Sequence, residues 1–96
     1  MSIKKITCPC GQGLGSSFLV EMNVKKVLDK MGLKDIKVDH LPVGEIYAGS
    51  ADLYVIAADL YDAVNKYGDT VTLNNIVSLV ELEEKLTAYF TEKGML

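Results

Sequence analysis

The chain has 96 residues, 49% of them hydrophobic, and this length supports one hydrophobic core rather than two, so we expect a single domain over residues 1–96. Its ten basic residues are all lysines, scattered along the chain against thirteen carboxylates, which argues against a nucleic-acid-binding surface. The absence of arginine removes the bidentate group on which many phosphate sites depend.

The sequence also argues against a membrane span and a secretion signal. Its longest apolar run, residues 53–58, is far shorter than the roughly 20 residues that cross a bilayer. Residues 1–5 lack the long apolar segment and the cleavage site of a signal peptide. We therefore expect a cytoplasmic protein that does not span the membrane and in which Cys8 and Cys10 are reduced.

The first third of the chain predicts a strand, a loop and a helix. Residues 3–7 are apolar and β-branched, as in a buried strand, and residues 8–15 are too rich in glycine and proline for regular structure. From Ser16 onward, apolar residues recur at helical spacing as far as residue 31, and Gly32 gives a C-terminal stop signal. This segment is the clearest helix in the sequence.

The remainder alternates strands with helical segments. Strands are predicted by the alternating pattern of residues 36–41, the continuous apolar run at 53–57 and the shorter segment 70–73. Short helical segments are expected at 43–48 and 60–65, and a capping box at 78–81 begins a helix to about residue 93. This order predicts a three-layer α/β/α sandwich with a four-stranded parallel sheet, of Rossmann-like, phosphatase-like topology.

The loop after the first strand carries the residues that indicate chemistry. In an open parallel sheet, ligands bind beyond the carboxyl ends of the strands, where this loop falls. Three alternate glycines let backbone N–H groups approach an anion, and two serines open a helix whose N-terminus adds donors and a positive dipole end. The same donors stabilise a thiolate, so the cysteine is a candidate nucleophile. The site residues are Cys10, Gly11, Gln12, Gly13, Leu14, Gly15, Ser16 and Ser17.

Two familiar phosphate chemistries lack their required residues here. A nucleotide-binding P-loop needs a lysine where Gly15 stands, and a Cys-x5-Arg phosphatase needs an arginine where Ser16 stands. Without that charge clamp, rapid hydrolysis of a phosphocysteine is not expected. What remains is a thiol that holds a phosphoryl group and passes it on, or, as the alternative interpretation, a tight packing turn beside an inert Cys10.

Residues 10–17 resemble the phosphorylation loop of the IIB components of the bacterial sugar phosphotransferase system (PTS). The ascorbate-type branch is the most similar and the galactitol-type branch is close behind. Residues 43–45, residues 51–57 and the final Leu-rich helix extend the resemblance over nearly the whole chain. Two features depart from the branch: Cys8 with Pro9, and the Asn pair at 74–75, where related chains often carry an arginine.

The resemblance implies a protein-N(π)-phosphohistidine–sugar phosphotransferase. In such systems the IIB cysteine receives a phosphoryl group from a phosphohistidine on the IIA partner and delivers it to a sugar brought in by the IIC membrane permease. Cys10 matches that cysteine, and the N–H groups of residues 11–17 would form the phosphate cradle. The sugar would be ascorbate-like or galactitol-like, and neither a metal nor a cofactor is expected.

Other conspicuous residues leave alternatives open. Cys8 and Cys10 together could form a thiol-based redox or regulatory module, but a disulfide across one residue is strained, and we interpret Cys8 as a buried strand residue. His40, the one histidine, could act in proton or phosphoryl transfer, although we favour a loop histidine. Asp39 and Asp59 would repel a phosphocysteine and are assigned to helix capping or solvent.

Overall fold

The structure is a computed structural model that describes residues 3–10, 14–33 and 35–95; at residues 14–17 it describes the backbone. The elements within these residues are β1 (Lys5–Cys10), α1 (Leu14–Met31), β2 (Lys37–Pro42), β3 (Leu53–Ala57), α2 (Tyr61–Val64), β4 (Thr70–Leu73) and α3 (Leu79–Glu92). Single turns of 3₁₀ helix lie at Val43–Glu45, Ala58–Leu60 and Asn65–Tyr67. None of the helices in these described residues is both long and apolar enough to cross a membrane.

The four strands form one parallel sheet in the order β2-β1-β3-β4. β1 pairs with β2 along its whole length, from Lys5 opposite Lys37 to Cys10 opposite Pro42. Because the strands are parallel, their carboxyl ends meet at one edge of the sheet, and β1 ends there between β2 and β3. The predicted four-stranded parallel sheet in a three-layer α/β/α fold is confirmed.

Apolar side chains cover both faces of the sheet. The face under α1 and α3 carries the larger core, which includes Ile6, Cys8, Val20, Val24, Leu53, Val55, Leu82, Leu86 and Phe90. The opposite face carries a smaller cluster of Ile46, Tyr54, Ile56 and Val64. β3 contributes to both clusters, as its continuous apolar run predicts, and it has almost no solvent exposure from Leu53 to Ile56.

The long helices begin and end at residues whose chemistry explains their bounds. α1 ends at Gly32, whose φ of 78° is accessible to glycine, and the N–H of Leu33 donates to the carbonyl of Leu28 at 2.9 Å. At the start of α3, the Ser78 hydroxyl accepts the Glu81 N–H at 3.1 Å, which is the N-cap bond of the predicted capping box. Both boundary signals are therefore confirmed.

The end of β1 corrects the sequence interpretation. The sequence predicts a loop over residues 8–15, but residues 8–10 continue β1 and residues 14 and 15 already belong to α1. The cause is pairing: β2 runs beside β1 as far as Cys10, whereas the β1–β3 pairs are at Ile6 and Thr7. Pro9 therefore lies beyond the β1–β3 pairs, where its missing N–H does not interrupt that side of the sheet.

Candidate functional site

Cys10 is the last residue of β1, at the carboxyl edge of the sheet, and α1 begins at Leu14. Its side chain is 5% exposed. The first N–H groups of a helix have no partner within the helix, and they point toward the residues that precede it. The structure thus places Cys10 at the carboxyl edge of the sheet, four residues before the first residue of α1.

Part of the predicted phosphate cradle lies outside the described residues. This applies to Gly11, Gln12 and Gly13, and to the side chains of Leu14, Gly15, Ser16 and Ser17. The backbone of residues 14–17 forms the first turn of α1. The cradle role of these residues stays a prediction, with the last four contributing from a helix rather than from a loop.

Cys8 lies in a different environment from Cys10. It is fully buried in the core beneath α1, and burial, followed by the nearby carboxylates of Glu21 and Asp39, raises the pKa of its thiol well above the usual range. The predicted burial of Cys8 is confirmed. A neutral thiol in an apolar core is neither a nucleophile nor a metal ligand.

The redox alternative is disfavoured by strand geometry. Cys8 and Cys10 are both free thiols, and they project from the same face of one strand, two residues apart. Such residues have nearly parallel side chains about 6.6 Å apart, whereas a disulfide needs Cβ atoms about 3.8 Å apart. A bridge would require β1 to break.

His40 is not a loop residue, which corrects the favoured sequence interpretation. It lies in β2, opposite Cys8 in the sheet register. Its Nδ1 contacts Oε1 of Glu21, and its ring packs edge-on against Phe18, with 5.8 Å between the ring centroids. Its partners Glu21 and Phe18 carry no local sequence signal, because the contact between β2 and α1 is tertiary.

Glu21 is a buried carboxylate with two partners. It is 7% exposed; Lys25, one turn along α1, approaches its Oε2 at 2.7 Å, and His40 approaches Oε1. Burial alone would raise the pKa of Glu21, but the hydrogen bonds with Lys25 and His40 outweigh burial and lower the pKa below its usual value. Glu21 is therefore ionised at neutral pH.

Neither of the two conspicuous aspartates caps a helix. Asp39 accepts a hydrogen bond from the Thr7 hydroxyl at 2.7 Å and lies 3.5 Å from the Lys5 ammonium. Asp59 is exposed within the turn Ala58–Leu60, which has no side-chain cap. The solvent part of the predicted capping or solvent role is thus confirmed for both residues: the Asp39 side chain is 42% exposed although it bonds to the neighbouring strand, and Asp59 is exposed.

The loop between β4 and α3 is anchored by one carboxylate. Glu81 accepts the N–H groups of Asn74 and Asn75 at 2.8 and 2.9 Å, and the Lys85 ammonium lies 2.8 Å from it. Lys85 first, and then the two backbone donors, lower the pKa of Glu81 to about 2. This loop leaves the carboxyl end of β4, at the same edge of the sheet as Cys10.

Side chains that could bind a metal ion do not cluster in the part of the chain that is described. Those residues contain no group of three or more histidine, cysteine or carboxylate side chains that could hold a metal ion. The features available at the carboxyl edge are a thiol, backbone N–H groups and a histidine paired with a carboxylate. They can support nucleophilic attack and proton transfer.

Fold and site together define a class of α/β proteins in which a cysteine ends a central strand at the carboxyl edge of a parallel sheet, where open α/β sheets bind their ligands. Compared with known families, residues 5–88 match the family described as "PTS system, Lactose/Cellobiose specific IIB subunit". The chain belongs to this family. A comparison with curated proteins found no match.

Membership makes the chain a IIB component of the sugar phosphotransferase system, with a phosphoryl-carrier role and with IIA and IIC components as partners. This confirms the IIB resemblance of the sequence. It does not support the ascorbate-type or galactitol-type branch, because the family description names lactose and cellobiose.

Proposed function

We propose that the chain carries a phosphoryl group on Cys10, taking it from a phosphohistidine of a IIA partner and passing it to a sugar held by a IIC permease. The observation that carries the proposal is the position of Cys10 at the end of β1, four residues before the N-terminus of α1. A thiolate and a phosphocysteine are both negative, so the same helix N-terminus favours each of them.

Both transfers are in-line displacements at phosphorus. In the first, the Cys10 sulfur forms a bond to phosphorus and the bond to the donor imidazole breaks. In the second, a sugar hydroxyl oxygen forms a bond to phosphorus, and the thiolate of Cys10 leaves. The protein contributes orientation and hydrogen-bond donors to the transferring group, and the proposal includes no metal or cofactor.

The phosphate cradle is proposed from the N–H groups of residues 11–17. The support for it is that α1 begins at Leu14, so the N–H groups of the first turn belong to the residues matched by the resemblance. We further propose that residues 1–96 are one domain and that the protein works in the cytoplasm, where a IIA partner is available.

For the sugar, we propose an ascorbate-like or galactitol-like substrate, because residues 10–17 resemble those branches of the system. The family description makes lactose and cellobiose the competing candidates. Membranes that contain the cognate IIC permease, supplied in parallel with L-ascorbate, galactitol, lactose and cellobiose, decide between them. Formation of lactose or cellobiose phosphate alone would exclude the proposed sugars.

The carrier function is tested by incubation with a phosphorylated IIA protein, followed by intact mass measurement. We expect one added phosphoryl group on the wild type and on Cys8→Ala, and none on Cys10→Ser. Cys8→Ala is the matched control, since it removes a thiol two residues away. Equal labelling of Cys10→Ser and wild type would place the phosphoryl group elsewhere and end the proposal.

A further inference from the structure

The carrier proposal leaves one ionisable cluster without a role. The carboxylate of Glu21, 7% exposed, lies between the ammonium of Lys25 at 2.7 Å and Nδ1 of His40. An ionised carboxylate is costly to bury unless its partners are well placed, and either partner alone would compensate it in part. The second partner, His40, is 40% exposed.

His40 and Cys10 lie on the same face of the sheet. His40 is the register partner of Cys8 on the neighbouring strand, so the two side chains project from one face, and Cys10 follows on that face two residues later. Strands about 4.8 Å apart with a rise of about 3.3 Å per residue place the two Cα atoms roughly 8 Å apart. Long or aromatic side chains reach across such a diagonal.

The contact with Glu21 defines which nitrogen of His40 is available. Nδ1 is engaged by the carboxylate, and among the described residues no side chain or backbone group hydrogen-bonds Nε2. A carboxylate that accepts a hydrogen bond from Nδ1 keeps the proton of the neutral imidazole on Nδ1, so the free lone pair is on Nε2. The same carboxylate stabilises the imidazolium that forms when Nε2 takes a proton. This is the arrangement of a histidine base oriented by a carboxylate.

We propose that His40 is the general base that deprotonates the acceptor hydroxyl when the phosphoryl group leaves Cys10, and that Glu21 is its positioning residue. This inference rests on the proposed carrier function of Cys10. The acceptor oxygen forms its bond to phosphorus as the bond from phosphorus to Sγ breaks. The thiolate leaves with the electron pair, the hydroxyl proton moves to Nε2 of His40, and it is then released to solvent.

The two half-reactions differ in their need for this base. When Cys10 accepts the phosphoryl group, the departing imidazole of the donor is itself a base and takes the thiol proton. When Cys10 delivers it, the hydroxyl is a much weaker acid and the departing thiolate is too weak a base to remove its proton. A change at His40 should therefore separate delivery from acceptance.

The test uses the phosphorylated protein, freed of its donor, and two hydroxyl acceptors that need no permease, water and added glycerol. His40→Gln should accept from a phosphorylated IIA protein at nearly the wild-type rate, but deliver about 100-fold more slowly, measured as loss of the phosphoryl mass. Asp39→Asn is the matched control: it is adjacent in β2, on the opposite face, bonded to Thr7. It should leave both rates unchanged.

A pH profile separates a base from a structural support. Among the described residues, the ionisable groups packed on the same side of β2 as the His40 ring are Glu21, its partner Lys25 on α1, and Cys8 and Cys10 on β1. A general base stops working when protonated, so delivery by the wild type should fall as the pH decreases from about 8 to about 5. Glu21→Gln, which no longer orients the His40 ring, should slow delivery while acceptance stays near the wild-type rate.

The outcomes distinguish this inference from the carrier function. Wild-type delivery by His40→Gln, or equal slowing of acceptance and delivery, would overturn the role of His40 while Cys10 still carries the phosphoryl group. Failure of the wild type to be phosphorylated would instead end the carrier proposal. If His40→Gln does not fold, the wild-type profile decides: delivery that is constant between about pH 5 and 8 contradicts the inference.

Discussion

At the scale of single residues, two neighbouring thiols have different chemical prospects. Cys8 is enclosed by the α1 face of the core, where burial raises the pKa of its thiol and keeps it neutral. Cys10 ends the strand, just before the donors of a helix N-terminus. Cys8 and Cys10 are thus two residues apart on the same face of β1, but Cys8 is a core side chain and Cys10, at the end of the strand, is the candidate nucleophile.

The sharpest prediction for a single residue concerns Gly13, which lies outside the described residues. If backbone N–H groups bind the phosphoryl group, a Cβ at this position blocks close approach or excludes the required φ. Gly13→Val should fold with a modestly lowered unfolding midpoint, but it should slow phosphorylation of Cys10 at least about tenfold, equivalent to about 1.4 kcal/mol. Rapid-quench labelling by a phosphorylated IIA protein measures the rate. Labelling at the wild-type rate would show that this backbone does not form the cradle.

At the scale of elements, side chains from one segment fix the bounds and positions of another. Glu81 of α3 accepts two N–H groups from the preceding loop, so it joins the end of β4 to the first turn of the helix. The sequence motif predicted the Ser78 cap but assigned the Glu81 side chain to it as well. The carboxylate bonds instead to Asn74 and Asn75, and the N–H of Ser78 donates to the carbonyl of Asn75 at 3.0 Å.

Glu81 predicts a pH-dependent contribution to stability. Its pKa is about 2 in the folded protein against 4.5 for an unperturbed glutamate, so the contribution is complete above pH 4.5 and is lost as the pH falls toward 2. Urea unfolding of the wild type and of Glu81→Gln should therefore differ most near neutral pH and converge in acid. The exposed Glu92→Gln is the control and should follow the wild type throughout. A constant difference between wild type and Glu81→Gln at every pH would contradict this role.

The packing of α3 predicts which of its side chains contribute to the free energy of unfolding. Leu86 is fully buried against the sheet, whereas Val80, on the same helix, is 69% exposed. Leu86→Ala should lower the free energy of unfolding by about 2–5 kcal/mol, because it removes buried methyl groups and leaves a cavity. Val80→Ala should change it by less than about 0.5 kcal/mol. Thermal and urea unfolding of the two variants provide the comparison, and equal losses would mean that α3 is not docked as described.

At the scale of the whole molecule, local sequence patterns predict the order of strands and helices. The length of β1 and the contacts between elements depend instead on long-range pairing. The β3 run and the Gly32 stop depend on neighbouring residues, and both are confirmed. The length of β1 depends on its pairing with β2, and the contact between His40 and Glu21 depends on how α1 lies over that strand. Neither could be predicted from periodicity, because the partners are 19 or more residues apart in sequence.

The central claim is that Cys10 is a carrier and not the end point of a modification, and the reverse reaction tests it most directly. The protein would be phosphorylated by a IIA donor carrying labelled phosphate, separated from it, and mixed with fresh, unphosphorylated IIA. A carrier should return the label from Cys10 to the IIA histidine within the time of the forward transfer, and Cys8→Ala should do so equally well. Label that stays on the protein, or that leaves only as inorganic phosphate, would contradict the carrier function.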